Sequence, residues 1–95
     1  MIEIFKSSHF DSGLRDIRAV ARIQARIDRM SLGNSGDAKP VGAGISEMRI
    51  DYGPGYRVYY MRRGPIVIIL LCGGDKSSQQ QDIETAKALA AEWKE

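Results

Sequence analysis

One cysteine, one histidine and three prolines are spread over 95 residues, and each scarcity removes a class of explanation. A single thiol, Cys72, leaves no intramolecular disulfide to staple the fold, which suits a reducing compartment; set inside an apolar run, it reads as a small core side chain. One imidazole and one thiol cannot assemble the clustered nitrogen and sulfur ligands of a zinc or iron site, so neither metal nor other cofactor is expected. His9 stands where a first helix should begin and reads as a capping or surface residue, ahead of the base of a Ser or Cys triad. The longest apolar run, residues 66–72, is far short of the roughly 20 residues of a membrane helix, and the N-terminus has no basic segment followed by an apolar one. A cytoplasmic protein without membrane contact is the expectation.

What is present is ordinary in amount and uneven in placement. A hydrophobic fraction of 43% and a charged fraction of 27% suit one folded domain over residues 1–95. The net charge of +2 conceals ten Lys/Arg against five acids between Arg15 and Arg63, nine of the ten being arginine. Guanidinium groups bind planar oxyanions through paired bonds and stack on bases, so this balance favours nucleic acid or an acidic protein partner.

Periodicity supplies the elements. Residues 1–5 read as a first strand. Phe10, Leu14, Ile17, Val20, Ile23, Ile27 and Met30 recur at helical spacing, with Gly13 dividing the stretch into two helices or one kinked helix. Arg15, Arg18, Arg22, Arg26 and Arg29 fall on one exposed stripe opposite that apolar face. Residues 32–44, rich in Gly, Asn and Asp, read as a long loop. Residues 45–52 and 56–63 alternate and form a hairpin about Gly53-Pro54-Gly55, whose symmetric pairing would set Asp51 opposite Arg57. Residues 66–72 read as a central strand covered on both faces, and Ser77-Ser78 followed by Gln80 and Gln81 announces a C-terminal helix with a capping box. The expected fold class is α+β: a small, antiparallel-rich, four-stranded sheet with helices mainly on one side.

Cations concentrate on the middle strands. Arg49 and Arg57 share a face with Tyr59, and Lys76 and Lys39 stand nearby. Unpaired cations held together call for a polyanion or an acidic partner, or for neutralisation by Glu47 and Asp51. Such a group can cleave RNA without metal: guanidinium groups stabilise the charge of the phosphorane, and a lysine of lowered pKa moves a proton. Tyr59 or Tyr60 would stack on a base. The run Gly73-Gly74-Asp75-Lys76-Ser77-Ser78 lacks the spacing of a nucleoside-triphosphate loop; it forms either a seat for one phosphate or a plain strand-to-helix turn.

Residues 33–42, 47–60 and 70–79, with Asp82-Ile83 and Ala86-Lys87, resemble the phage-derived, HigB-like addiction-module killer proteins of the RelE/ParE toxin superfamily. The resemblance implies a RelE-like fold and a toxin neutralised by a cognate antitoxin, usually a helix-turn-helix protein, in a heteromeric complex. It further implies a ribosome-dependent mRNA endonuclease that inhibits translation. By motif position Arg57 and Lys76 match the family's catalytic cations, and Arg49 and Lys39 its supporting ones. A catalytic tyrosine found near the start of the last helix in some members is replaced here by Asp82 and Ile83, which makes Asp82 a candidate proton acceptor; a first-turn acid favoured by the helix dipole would look the same. Arg62, Arg63, Arg22, Arg26 and Tyr59 complete the expected RNA-binding set. The alternatives are a ParE-like protein that poisons DNA gyrase without catalysis, or an inactive module that only binds its antitoxin.

Overall fold

Alternating apolar residues in the middle of the chain, flanked by helically spaced ones, give five strands and two α-helices in a computed structural model that describes residues 2–7, 10 and 17–93. The order is β1 (Glu3–Lys6), α1 (Ile17–Ser31), β2 (Ala38–Gly42), β3 (Ile45–Ile50), β4 (Tyr56–Arg63), β5 (Val67–Gly74), a 3-10 turn (Lys76–Ser78) and α2 (Gln79–Glu92). One mixed sheet runs β1-β5-β4-β3-β2, parallel between β1 and β5 and antiparallel elsewhere. The fold class is therefore α+β, with five strands where four are expected.

The extra strand, β2, lies inside the stretch read as loop. Pro40 and Gly42 disguise it, and an edge position with a register shift between those two residues tolerates both. A single N-terminal helix is present among the described residues; the expected helix start at residues 11–16, with Gly13 and Arg15, lies outside them, as does His9.

The helices cover opposite faces, which corrects the one-sided arrangement. α1 buries Ala19, Ile23, Ile27 and Met30, four residues at spacings that hold one helical stripe. Ile23, Ile27 and Met30 pack with Met48, Ile50, Val58, Tyr60, Ile68 and Leu70. On the other face, α2 sets Ile83, Ala86 and Leu89 against Ile45, Tyr59, Met61, Ile69 and Leu71. β5 thus sends Ile68 and Leu70 one way and Ile69 and Leu71 the other, as its continuous apolar character requires. Full burial of each such side chain stabilises the fold by about 1.5–3 kcal/mol.

The β3–β4 register differs from symmetric pairing about the Gly-Pro-Gly turn. Arg49 faces Arg57 and Ile50 faces Tyr56, so residues 51–55 all belong to the connection. Tyr52 N–H donates to Ile50 O and Gly55 N–H to Tyr52 O, bonds that draw Asp51 and Tyr52 out of the ladder. Gly55 has φ +83, and a Cβ there would sit 3.9 Å from Lys76 Cβ, so the turn lies directly beneath the 3-10 segment.

The start of α2 also departs from expectation. Ser78 occupies the N-cap position but makes no capping bond, so the capping box does not form. Its hydroxyl donates to Asp82 Oδ2 at 2.5 Å instead. That bond is possible because Gly74 has no side chain: a Cβ on Gly74 would lie 2.0 Å from Asp82 Oδ2.

Candidate functional site

Register alone builds a gradient on the α2 face of the sheet. Successive facing pairs of β3 and β4 run Ile45–Met61, Glu47–Tyr59 and Arg49–Arg57, from apolar through hydrogen-bonded to cationic. β5 continues the last row with Gly74 beside Arg57, and β2 places Lys39 opposite Glu47 at the exposed edge. Arg49 N–H donates to Asp37 O at 2.9 Å, which fixes the strand end where Arg49 emerges.

Glu47 is the hub of this arrangement. Its exposure is 0%, yet it carries four cross-links. Tyr59 Oη donates to Oε2 at 3.1 Å and Gln79 Nε2 to the same oxygen at 2.9 Å. Arg49 Nε donates to Oε1 at 3.2 Å, and Arg57 Nε lies 3.5 Å from that oxygen. Burial pushes the Glu47 carboxyl up, but the bonds from Gln79, Arg49 and Tyr59 and the charge of Arg57 more than offset it and hold the group below its ordinary value of 4.5. It is an ionised carboxylate with both oxygens occupied. Burial and the adjacent Glu47 carboxylate push the Tyr59 phenol well above its usual value, so Tyr59 stays a neutral donor.

The two arginines differ in how much they have left to give. The Arg49 side chain is 40% exposed and spends its Nε on Glu47. The Arg57 side chain is 13% exposed, and its Nε and Nη1 are buried without a hydrogen-bond partner. Arg57 therefore gains Coulomb attraction from Glu47 without satisfying its donors, and buried guanidinium N–H groups left in that state are costly. The cleft in front of it, about 260 Å³, is lined by Arg49, Arg57, Asp51, Gly55 and Tyr56. An anion entering there meets the part of the Arg57 guanidinium that remains exposed, together with Arg49 on the facing strand.

Of the remaining expected residues, Asp82 sits in the first turn of α2 bound to Ser78, with its carbonyl accepting from Cys72 Sγ at 3.4 Å. Lys76 is exposed on the 3-10 turn. Its neighbouring backbone offers no phosphate seat: Ser77 N–H donates to Asp75 Oδ1 at 2.9 Å, Ser78 N–H to Asp75 O, and Gln79 N–H to Lys76 O. The Asp75 carboxylate takes the place a phosphate would need, and the bonds from the Ser77 hydroxyl and backbone hold its pKa below the ordinary carboxylate value.

Burial takes the rings of Tyr59 and Tyr60 out of the expected RNA contacts, and the arginines of that set differ in place and exposure. Tyr59 is 0% exposed and Tyr60 is buried on the opposite face, so neither offers a ring to a base. Arg62 and Arg63 occupy the far end of β4, about 16 Å or more along the strand from Arg57, beside Lys87. Arg26 is half-buried, not exposed: Nη1 donates to Arg49 O at 2.6 Å and Nη2 to Ser35 O at 3.2 Å. Arg22 lies with Cζ 4.6 Å from the Tyr52 ring centroid. The arginine stripe of α1 is thus partly turned toward the sheet's end.

Gln79 is missed by pattern reasoning, and Glu47 is expected only as a counter-charge to the arginines, not as a buried hub. Glu47 alternates with Arg49 and Asp51 and looks like a solvent-facing charge, and Gln79 lies 32 residues away. Among the described residues no group of three or more His, Cys, Asp or Glu could hold a metal ion, and no helix is long and apolar enough to cross a membrane.

The chain is 52% identical over 94 residues to a Haemophilus influenzae protein described only as an uncharacterized protein, a match covering 96% of this chain and 95% of that one. No protein-family model and no solved structure matches the chain.

Proposed function

The chain belongs to the family of that Haemophilus influenzae protein, and we propose that it is a RelE-like, HigB-type toxin of a toxin–antitoxin pair, an mRNA endonuclease acting on translating ribosomes and held in check by a helix-turn-helix antitoxin. The observation that carries this reading is Arg57: a largely buried guanidinium, ion-paired with Glu47 but with Nε and Nη1 lacking a hydrogen-bond partner, facing Arg49 across the ladder at the wall of a cleft.

In this reading the scissile phosphate occupies the cleft. Arg57 and Arg49 stabilise the charge that develops on the phosphorane oxygens, and their prior alignment by Glu47 spares reorganisation during the reaction. Glu47 is a positioning residue, since a carboxylate with both oxygens engaged and no exposure cannot receive the 2′-hydroxyl proton. Lys76 protonates the leaving 5′-oxygen, Asp82 accepts the 2′-proton, and Lys39 supports the strand from the sheet edge.

Induction of the wild-type protein, followed by primer extension on cellular transcripts, tests the proposal. Cuts at defined codon positions are expected; Arg57→Ala should abolish them and Arg57→Lys should reduce them about 10²–10³-fold, with circular dichroism melts showing each variant folded. Intact transcripts accompanied by DNA breaks would replace this reading with gyrase poisoning. Intact transcripts and intact DNA would leave a module that only binds its antitoxin.

A further inference from the structure

We infer that the cleft between α1 and the end of β3 is a second phosphate subsite, continuous with the Arg49–Arg57 cleft, so that one single strand of nucleic acid is gripped at two places around the end of the sheet. The inference rests on the reading that Arg49 and Arg57 hold a phosphate.

The second cleft, about 220 Å³, is lined by Arg22, Ala25, Arg26, Arg29, Ile50 and Asp51. Ile50 and Asp51 also line the first, so the two are neighbouring compartments on either side of a shared wall. Each is smaller than the roughly 300–1,000 Å³ of sites that enclose small molecules, which suits a chain laid across them better than a compact ligand.

The three arginines of the second cleft have different tasks. Arg26 has committed Nη1 and Nη2 to the carbonyls of Arg49 and Ser35, and it cements the wall. Gly36 makes that possible, since a Cβ there would lie 2.6 Å from Arg26 Nη2. Arg22 is held over the Tyr52 ring, with Cζ 4.6 Å from its centroid, a contact that consumes none of its N–H donors on a hydrogen-bond acceptor and leaves them for an anion. Arg29 is exposed and makes no ion pair among the described residues. Arg22 and Arg29 are seven residues apart, two helical turns, and so point from the same side of α1.

Asp51 on the shared wall repels a phosphate from the rim, so phosphates settle to either side of it. A polynucleotide repeats its charge along the strand and can step over this point with a sugar and base. An acidic protein surface would have to match two separated basic pockets with a carboxylate between them. The geometry therefore favours the strand.

The test uses two uncleavable 2′-O-methyl RNA probes, an octamer and a dinucleotide with a single phosphodiester, titrated against wild-type protein and an Arg22→Gln/Arg29→Gln variant over a range of salt. A 2′-deoxy octamer run in parallel distinguishes RNA from DNA as the source of the strand. The variant should bind the RNA octamer about 10-fold more weakly, with the slope of log affinity against log salt flattened by about 0.7–1.4, near 0.7 for each phosphate that is no longer neutralised. Dinucleotide binding should not change. Equal octamer affinity and slope in a folded variant would overturn the inference, as would equal losses for both probes. So would an octamer that fails to bind wild-type protein at low salt, the result expected of a surface made for an acidic protein. Because the probes cannot be cut, intact transcripts in cells would remove the nuclease reading without touching this result.

Discussion

Replacing Glu47 by glutamine keeps the shape of the hub and removes its charge. In the amide's best orientation its oxygen remains toward the two arginines, its nitrogen faces Tyr59 Oη, and Gln79 turns to present oxygen. The Tyr59 hydroxyl then accepts where it had donated and its own proton loses an acceptor, so one hydrogen bond is lost together with the charge. Arg49 is 40% exposed, so its share is discounted by solvent to about 0–1 kcal/mol. Arg57 is 13% exposed and is left beside a like charge on the facing strand with nothing to neutralise either. Removing one partner of a buried pair costs about 3–5 kcal/mol, and the partial exposure here brings the expected total to about 2–4 kcal/mol. At about 4–8 °C per kcal/mol for a domain of this size, Tm should fall by about 8–32 °C at pH 7. Acid supplies the control. The folded-state pKa of Glu47 is depressed, so its stabilisation is complete above the unfolded value near 4.5 and is lost as pH falls through the folded one. Thermal melts followed by circular dichroism should therefore show a wide gap between wild type and Glu47→Gln at pH 7 that narrows once pH falls below the unfolded value of 4.5 and closes when the folded carboxyl is protonated. A gap under about 0.5 kcal/mol at neutral pH, or one that persists in acid, would refute the argument that an ionised Glu47 holds the site together.

Gly74→Ala would drive a Cβ to 2.0 Å from Asp82 Oδ2 and 2.7 Å from Ser78 Oγ, so those two side chains must swing aside and give up their hydrogen bond; urea unfolding should register a loss of about 0.5–1.5 kcal/mol with the fold retained. Cys72, 5% exposed and with its thiol pushed up to about 12 by burial and by the Asp82 charge, should resist iodoacetamide at pH 8 in the native protein and react stoichiometrically once unfolded, as mass spectrometry will show.

How much of the molecule is legible in its residues depends on how far apart the interacting groups lie. The two-sided burial of β5 follows from its unbroken apolar run, and with it the need for cover on both faces. The Arg49–Arg57 neighbourhood follows from alternation and a single tight connection, but its register does not: Tyr52 and Gly55 close backbone bonds that shift the ladder by two residues from symmetry about the turn. β2 is hidden because Pro40 and Gly42 argue locally against a strand, and only its edge position excuses them. Glu47 looks solvent-facing because nothing within its own hairpin reveals that Gln79 and the start of α2 close over it. The same cover takes the Tyr59 ring out of reach of any base.

The parallel pairing of Glu3–Lys6 with Val67–Leu70 joins segments more than sixty residues apart, and Ser7 adds a side-chain bond from its hydroxyl to Leu71 O. β2 to β5, by contrast, pair with their neighbours in the chain, across connections of a few residues. Loop-closure entropy therefore lets the four-stranded meander assemble first, and the opening strand joins it as the slow, last addition to a preformed edge.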